Sequence, residues 1–503
     1  MLFICYAIIY MGDYMENYKM LLEYIKEITN LECMYSTLDW DMRISAPKDA
    51  KDYIISLEGD IADKIFKLRT DSKYEVLLLN VINDSYFKEL DDSEQRYINN
   101  LLKDYYRNVL VPNDFYTEYV KLCSKSSTVW EEAKEKNDYG LFKPYLEQVI
   151  DMTKKYYSYI DSSKDLYDVM LDCYETGINS EIIDGLFTEL KDSLIPLIKK
   201  CNNDSPNNIN VNYSDEELLG CAKYLLEYIG FDMNKGSLGI FAHGFTNKIS
   251  SKDVRIAFTQ TTNPIDFAST VVHEGGHGIL EQNISDKLSK YTNGCIENLY
   301  AFHESQSRFF ENILGKNINF WYPIYEDVKK KFKIDLSIED FCEELNKVSL
   351  GLIRTKADEL TYPLHIIIRY EIERDLFNGV ITVDELPSVW NKKVKDYLGL
   401  DVKTDSEGLM QDIHWSEGSF GYFPSYLLGT IYDGIFKEYV EENLGSIDEL
   451  LRSGRVKEIT QFMIDNIYKN GGAYSSKEII ENVCGKKLTV KPIIKYFNDK
   501  YNK

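Results

Sequence analysis

Residues 271–280, VVHEGGHGIL, contain two histidines that are four positions apart, His273 and His277. On a helix this spacing places both imidazole rings on one face, within reach of a single metal ion. Glu274 lies beside them, where it can contact a water molecule bound to that ion. A metal lowers the pKa of bound water toward about 7, and a neighbouring carboxylate takes the proton as the water attacks a carbonyl. The pattern therefore predicts metal-assisted hydrolysis.

A site of this type needs a third protein ligand, which leaves the fourth position for water. A histidine six residues after His277 would mark one class of enzymes, but position 283 is asparagine, so that class is excluded. The segment CIENLYAFHESQSRFFENILG predicts a second helix that ends at Gly315. Three glutamates spaced by sevens share one stripe of that helix, and spacing cannot choose among them. The candidates are Glu297, Glu304 and Glu311, with His303 as a further possibility.

The elements that must position these residues are predicted to be mainly helical. Apolar residues recur at three- and four-residue steps from Tyr18 to Leu31. The same pattern runs through 182–198, 216–229, 341–352 and 435–444. Asn263 as a cap and Pro264 at the first helical position predict the start of the histidine helix, which runs toward Leu280. The predicted fold is all-α.

Only one region is typical of a sheet. GSLGIFAHGFT and DVRIAFTQ predict a small β-hairpin of 238–245 with 254–259, joined by NKISSK. No repeat, Gly/Ser linker or low-complexity tract divides the chain, so residues 15–503 are predicted to form one domain. Residues 1–14 are interpreted as an apolar tail or a start-site artefact, because MLFICYAIIYM lacks a preceding positive charge and is too short to span a bilayer.

Charge and cysteine usage exclude several classes of partner. The chain has 58 Lys and Arg against 82 Asp and Glu, a formal net charge of -24, which repels phosphate backbones and anionic membranes. We therefore expect neither nucleic acid nor membrane as a partner. The nine cysteines are scattered, odd in number and without a CxxC pair, which favours reduced thiols and a cytoplasmic location.

Several further motifs make the sequence similar to the family M32 metallocarboxypeptidases, the thermostable-carboxypeptidase group. The family's His-Glu-Ser-Gly/Gln is HESQ at 303–306, and its Ile-Arg-x-x-Ala-Asp is IRTKAD at 353–358. Its Gly-x-x-Gln-Asp-x-His-Trp is GLMQDIHW at 408–415, followed by GYFPSYLLG, and LDWDMRISAP resembles its early Trp-Asp segment. Two signatures depart from the family: His-Pro-Phe is HGF at 243–245, and Asp-x-Arg-x-Thr is DVRIA, with Ala257 in place of threonine.

The resemblance implies that Glu304 is the third ligand. It also implies a helical, two-lobed body around a deep groove, similar to neurolysin-like peptidases, and a homodimer. One divalent transition metal is expected per chain, with zinc the usual ion and cobalt an alternative. The expected substrates are peptides with a free C-terminus, trimmed one residue at a time with broad side-chain tolerance.

Binding a terminal carboxylate suits arginine, because its planar fork pairs with both oxygens. Arg354 in IRTKAD is the first candidate and Arg255 the second. The alternative for each is a structural salt bridge, to Asp358 or Asp253 respectively. The developing oxyanion also needs a donor, for which Tyr422 and His414 are the candidates, with His243 a further one. His365 lies in an apolar run, YPLHIIIRY, where a core histidine is an equal alternative.

Three glycines in the histidine helix need an explanation, since each costs about 1 kcal/mol relative to alanine. We expect Gly275 and Gly276 to leave the helix surface bare for another backbone or for substrate, and Gly278 to let the second ligand helix pack closely. The alternative is that glycine is merely tolerated there. Two other functions remain open at this stage: an oligoendopeptidase of the same architecture and a catalytically silent peptide-binding scaffold.

Overall fold

The structure is a computed structural model that describes residues 2–201, 209–291 and 299–502, with side chains from Glu16 onward. Helices account for most of the described chain, as predicted, and one small sheet is the main exception. None of the helices within those ranges is both long enough and apolar enough to cross a membrane.

In the part of the chain that the structure describes, nine helices precede the sheet. Their periodic apolar residues face the core: on the first helix Leu21, Ile25 and Ile28 are fully buried. The helical patterns predicted over 18–31, 182–198 and 216–229 are confirmed. The helices are α1 (Leu2–Ile44), α2 (Lys51–Thr70), α3 (Ser72–Ile82), α4 (Asp92–Leu110), α5 (Asn113–Lys136), α6 (Tyr139–Ile160), α7 (Leu166–Tyr174), α8 (Ser180–Cys201) and α9 (Asp215–Ile229).

The sheet has three strands: β1 (Gly236–Phe241), β2 (Phe245–Ser250) and β3 (Asp253–Thr259). Their order is β1-β3-β2, with β1 parallel and β2 antiparallel to the central β3. The predicted pairing of 238–245 with 254–259 as a hairpin is therefore wrong. The hairpin is formed by β2 and β3, and most of the predicted connection NKISSK belongs to β2. Because only Ile249 of β2 is buried, the strand lacks the apolar alternation by which it would be recognised.

Among the described residues 260–291 and 299–502, thirteen helices follow the sheet. They are α10 (Pro264–Gln282), α11 (Asp286–Ser289), α12 (Tyr300–Arg308), α13 (Ile318–Trp321), α14 (Tyr325–Lys331), α15 (Ile338–Leu345), α16 (Tyr362–Phe377), α17 (Leu386–Leu398), α18 (Phe423–Leu444), α19 (Ile447–Arg452), α20 (Val456–Asn466), α21 (Ser476–Glu478) and α22 (Lys491–Tyr501). Two π-helical segments extend them, Phe309–Gly315 after α12 and Ile479–Val483 after α21. Short 3-10 turns occupy Lys48–Ala50, Ser85–Glu89, Met233–Lys235, Arg354–Lys356, Val383–Glu385 and Tyr468–Ala473.

Two of the predicted helix boundaries in this half can be compared directly. The helix of the second ligand segment ends at Gly315, as predicted. The helix predicted over 341–352 instead ends at Leu345. The reason is a local competition: the side chain of Asn346 donates to the carbonyl of Cys342 (2.7 Å) and to that of Lys316 (2.9 Å), which terminates α15.

Helix α12 lies between two neighbours that approach its backbone at glycines. A Cβ atom at Gly276 of α10 would lie 2.6 Å from the carbonyl oxygen of Gln306. On the opposite side, a Cβ at Gly429 of α18 would lie 3.1 Å from the carbonyl oxygen of Ala301 and 3.2 Å from the amide nitrogen of Ser305. The three helices that surround the site are thus packed backbone against backbone.

Candidate metal centre

Three side chains from two helices converge on one point. The ligand atoms of His273, His277 and Glu304 all lie within 4.8 Å of one another. His277 Nε2 is 3.8 Å from Glu304 Oε2, and the two imidazole rings are 5.1 Å apart at 84°. Two nitrogen donors and one carboxylate are the donor set of many catalytic zinc sites. These residues therefore fit a divalent transition metal.

The other candidates for the third ligand have different partners. His303 stacks on His277 with ring centroids 4.4 Å apart, and its Nε2 is 3.0 Å from an oxygen of Glu281. Glu311 hydrogen-bonds to the far side of His273. Glu297 lies outside the described residues.

Helix α10 orients both histidines from a well-capped start. The side chain of Asn263 accepts from the amides of Ile265 (3.0 Å) and Asp266 (3.3 Å), and Pro264 occupies the first turn, as predicted. Almost every residue of the helix is buried except the ligand face. The histidines therefore project from a rigid, enclosed helix.

The glycines of α10 serve close packing, but not in the predicted arrangement. Gly276 meets the backbone of the second ligand helix, where a Cβ would be 2.7 Å from Ser307 Cα, so the expected backbone approach is confirmed there. Gly278 does not face that helix. A Cβ at Gly278 would be 2.6 Å from the ring of Phe231, and one at Gly275 would be 2.5 Å from Ile229 Cδ1. Position 276 shares the face of the histidines, whereas 278 lies on another face.

Glu311 fixes the orientation of His273. Its Oε2 is 2.8 Å from His273 Nδ1, and its Oε1 accepts from Ser269 Oγ at 3.0 Å. Burial lowers the pKa of His273, but the hydrogen bond and charge of Glu311 outweigh it and raise the pKa to about 9. The contact with Glu311 occupies Nδ1, so Nε2 is the ring nitrogen that is left to bind a metal.

Glu274 is buried between the two histidines of the sequence motif and the sheet. Its Oε2 accepts a hydrogen bond of 2.7 Å from Thr246 Oγ1 on β2. Burial raises the pKa of Glu274, while the charge of His273 and the Thr246 bond oppose the shift. A carboxylate whose pKa is moved toward neutrality suits proton transfer at neutral pH.

Glu304 is held from its other side by Arg308. Arg308 Nε donates to Glu304 Oε1 at 2.7 Å, so that Oε2 is the oxygen directed at His277. The guanidinium of Arg308 also lies over the ring of Tyr362, 4.1 Å from its centroid. This charge-assisted bond restricts the carboxylate to one orientation.

Arg354 is buried on the 3-10 turn before α16. Its Nε and Nη2 are each 2.9 Å from Asp412 Oδ1, and Nη1 donates to Tyr362 Oη at 3.0 Å. The partner expected for a purely structural role, Asp358, instead accepts from the backbone amides of 349, 360 and 361. Arg354 therefore makes a salt bridge with Asp412 rather than with Asp358, and the N–H groups that these contacts do not use can donate to a ligand.

Arg255, the second candidate, makes the salt bridge considered as its alternative role. Its Nε and Nη2 bind the two oxygens of Asp253 at 2.8 and 2.7 Å. The pair occupies β3, the central strand. The guanidinium of Arg255 therefore already pairs with a carboxylate of the same chain, that of Asp253.

His414 and Tyr422 lie side by side. Their rings stack with centroids 5.7 Å apart at 24°, and His414 Nε2 is 3.4 Å from Tyr426 Oη. Burial raises the pKa of Tyr422, and the charge of Glu304 adds to the shift. Burial lowers the pKa of His414 to about 4, so the ring is neutral and can donate a hydrogen bond.

The two remaining histidines occupy different environments. His243 is exposed on the loop between β1 and β2, next to Gly244. His365 is only 2% exposed within α16, and burial lowers its pKa to about 3. His365 is therefore a core residue, the alternative considered for it.

Comparison with known proteins decides the family. The sequence model described as Carboxypeptidase Taq (M32) metallopeptidase matches residues 20–501. The chain belongs to the M32 family. Carboxypeptidase 1 of Bacillus subtilis is 37% identical over 489 residues, covering 95% of this chain and 96% of that protein. Thermostable carboxypeptidase 1 of Thermus thermophilus is 30% identical over 503 residues, covering 96% of this chain and 98% of that protein.

Solved structures agree with this assignment. An M32 carboxypeptidase from Deinococcus radiodurans superposes with a TM-score of 0.91 at 27% identity, covering 97% of this chain and 99% of that one. Metallocarboxypeptidase 1 of Trypanosoma cruzi superposes with a TM-score of 0.90 at 28% identity, covering 97% of this chain and 100% of that one. The predicted family and enzyme class are therefore confirmed: this M32 chain is a metallocarboxypeptidase, which acts on peptides and uses a divalent metal.

One of the two departures of this carboxypeptidase from the family signatures, Gly244, lies beside Glu274. A Cβ at Gly244 would be 3.6 Å from Glu274 Oε1 and 3.5 Å from Thr270 Cγ2, which is ordinary van der Waals contact. The position therefore has room for a larger residue. Ala257 is fully buried on β3, where a threonine would need a partner for its hydroxyl.

Sequence reasoning missed three supporting residues of this carboxypeptidase. The sequence predicts Glu311 only as a possible ligand, and it predicts no role for Thr246 or Arg308. Arg308 had a usable signal, since it is four residues from Glu304 on the same helix face. The sequence gives no such signal for Thr246 or Glu311. Thr246 is 28 residues from its partner Glu274, and Glu311 is 38 residues from its partner His273.

Replacing Glu311 with glutamine should weaken metal binding by about 10- to 100-fold, because the acceptor that fixes the His273 ring loses its charge. Competition with a chromophoric chelator measures the affinity. Glu326→Gln is the matched control, since it removes a glutamate charge from an exposed position on α14. Equal affinities for the two variants would show that Glu311 does not support the metal site.

Proposed function

We propose that the chain removes single residues from the C-termini of peptides, with a metal held by His273, His277 and Glu304 and with Glu274 as the general base. The observation that carries this proposal is the convergence of three ligand atoms within 4.8 Å, directly beside a buried carboxylate. The bound metal would polarise the scissile carbonyl and acidify a water.

Each protein residue has a definite task in this reaction. Glu274 accepts the proton of the attacking water at a carboxylate oxygen and then delivers it to the leaving amine. Thr246 holds Oε2 of Glu274, which leaves Oε1 for the water. His414 and Tyr422 donate to the oxyanion that develops on the attacked carbonyl. Arg354 binds the terminal carboxylate and so places the last peptide bond at the metal.

We infer that zinc is the native metal and that cobalt can replace it, because two imidazoles and one carboxylate suit either ion. We further propose broad side-chain tolerance, a homodimer and a cytoplasmic location. The location is supported by seven free cysteines within the described ranges. A single peptidase domain over 15–503, with 1–14 as an apolar tail or a start-site artefact, remains a prediction, supported by a family match that begins at residue 20.

The direct test is release of C-terminal residues by purified protein whose metal content is measured. Activity should disappear on chelation and return with zinc or cobalt. A peptide with an amidated C-terminus should resist cleavage, because it lacks the charge that Arg354 recognises. Cleavage of internal bonds in that amidated peptide would instead identify an oligoendopeptidase.

Arg354→Ala should lower kcat/KM on peptides with a free C-terminus by about ten- to over a hundredfold, since a hydrogen bond to a charged group is worth roughly 1.5–3 kcal/mol. On the amidated peptide the same substitution should change little. The four measurements form a double-mutant cycle in which the peptide terminus is one change. Equal losses on both peptides would show that Arg354 does not contact the carboxylate, and Arg255 would then be tested.

A further inference from the structure

The loop that presents the two oxyanion donors has no helix or strand of its own. We call residues 411–421 the donor loop; it carries His414 and leads directly into Tyr422 and α18. Gly421 adopts a φ of 82°, in the left-handed region that favours glycine, so the chain turns sharply just before Tyr422. Hydrogen bonds within the loop, such as that from the amide of Ser419 to the carbonyl of His414 (2.9 Å), shape its turns, and contacts from outside attach it to the rest of the protein.

Glu373 of α16 makes those contacts at two decisive places. Its Oε1 accepts from Trp415 Nε1 at 2.7 Å, and its Oε2 accepts from the amide of Gly421 at 2.9 Å. Trp415 follows His414 and Gly421 precedes Tyr422. One carboxylate thus binds the immediate neighbour of each donor residue.

Burying the carboxylate of Glu373 costs free energy, because the charged form loses its hydration. Glu373 is 0% exposed, and burial raises its pKa to about 7 although three hydrogen bonds oppose the shift. The third bond comes from Tyr167 Oη on α7 at 2.9 Å. A well-packed apolar residue would usually cost less than a buried charge. What the carboxylate adds is an acceptor for several donors at fixed positions.

A second contact from the same helix holds the start of the donor loop. Arg369, one turn before Glu373 on α16, binds Asp412 Oδ2 through Nε (2.7 Å) and Nη2 (2.5 Å). Asp412 lies two residues before His414. Successive turns of α16 therefore attach the loop on both sides of that histidine.

We propose that Glu373 is a positioning residue of the reaction, which fixes His414 and Tyr422 by binding the residue after the first and the residue before the second. This inference rests on the donor roles given to His414 and Tyr422 above. A small displacement of such donors costs turnover rather than substrate binding, because they act on charge that develops in the transition state.

The test compares four single variants by kcat, KM, metal content and melting temperature. Glu373→Gln and Trp415→Phe should each lower kcat by about 10- to 100-fold, with KM and metal content nearly unchanged. Tyr167→Phe is the matched control, because it removes a hydrogen bond to the same carboxylate from outside the donor loop. Glu371→Gln is a second control: this carboxylate on α16 binds Lys191 and Lys393 at 2.6 and 2.7 Å, away from the loop.

The outcomes separate positioning from stability. Supporting results are a loss of kcat for the first two variants and normal kcat for both controls, whatever their melting temperatures. If Glu373→Gln does not fold, the comparison of kcat between Trp415→Phe and Tyr167→Phe tests the inference instead. An equal loss of kcat in those two, or no loss in Trp415→Phe, would overturn the inference.

His414→Ala and Tyr422→Phe complete the experiment. If both lower kcat while Glu373→Gln does not, the donor roles stand and only the role of Glu373 is wrong. If neither lowers kcat, the donor roles themselves are wrong, and the inference about Glu373 falls with them.

Discussion

Glu274→Gln should reduce kcat by about 10²- to 10⁴-fold while the protein keeps its metal. Glutamine has nearly the size of glutamate and can still accept from Thr246, but it cannot take a proton from the attacking water. The ligands His273, His277 and Glu304 are untouched, so metal content should equal that of the native protein. The loss should therefore appear in turnover and not in metal binding.

The measurement is steady-state kinetics with elemental analysis of the same preparation. Asp266→Asn is the control, because it removes a carboxylate charge from an exposed position on the same helix, α10. Native activity is expected for the control. Most of the native kcat in Glu274→Gln would mean that another group accepts the proton.

Glu304→Ala should weaken metal binding by more than about 100-fold, beyond the range typical of residues that only support a ligand. Two imidazoles alone give an incomplete site for zinc. The substitution also leaves the partly buried guanidinium of Arg308 without its 2.7 Å partner, so some loss of stability is expected. Chelator competition and a thermal melt separate the two effects.

His303→Ala is the matched variant for this prediction, since its ring stacks on His277 but lies outside the ligand set. It should retain tight metal binding. Full metal occupancy of Glu304→Ala combined with metal loss in His303→Ala would show that His303, and not Glu304, is the third ligand.

The parts of the site that depend on helical spacing could be predicted from sequence. The cap at Asn263 and the four-residue step between His273 and His277 locate the ligand face of α10, because helix geometry is regular. Spacing alone could not choose the third ligand. Glu304 and Glu311 share one stripe and both reach α10, so which of them joins the two histidines at one point depends on how the two helices pack.

The sheet shows where local reasoning fails. β2 consists mostly of polar residues that are partly exposed, so its strand character comes from pairing with β3 rather than from its composition. The role of Glu373 also depends on contacts that are distant in sequence, because its partners in the donor loop, Trp415 and Gly421, are 42 and 48 residues away. Contacts of this kind become visible only when the tertiary structure is known.

The glycine contacts of α12 have a consequence for motion. Gly276 and Gly429 lock α10, α12 and α18 backbone to backbone, so the metal ligands and Tyr422 at the start of α18 belong to one rigid unit. Packed backbones slide poorly past one another, because no side chain between them can change rotamer to absorb the shift. Opening and closing of the enzyme on the microsecond-to-millisecond timescale should therefore leave the spacing between metal and phenol unchanged. Any gating step would have to move other elements around this unit.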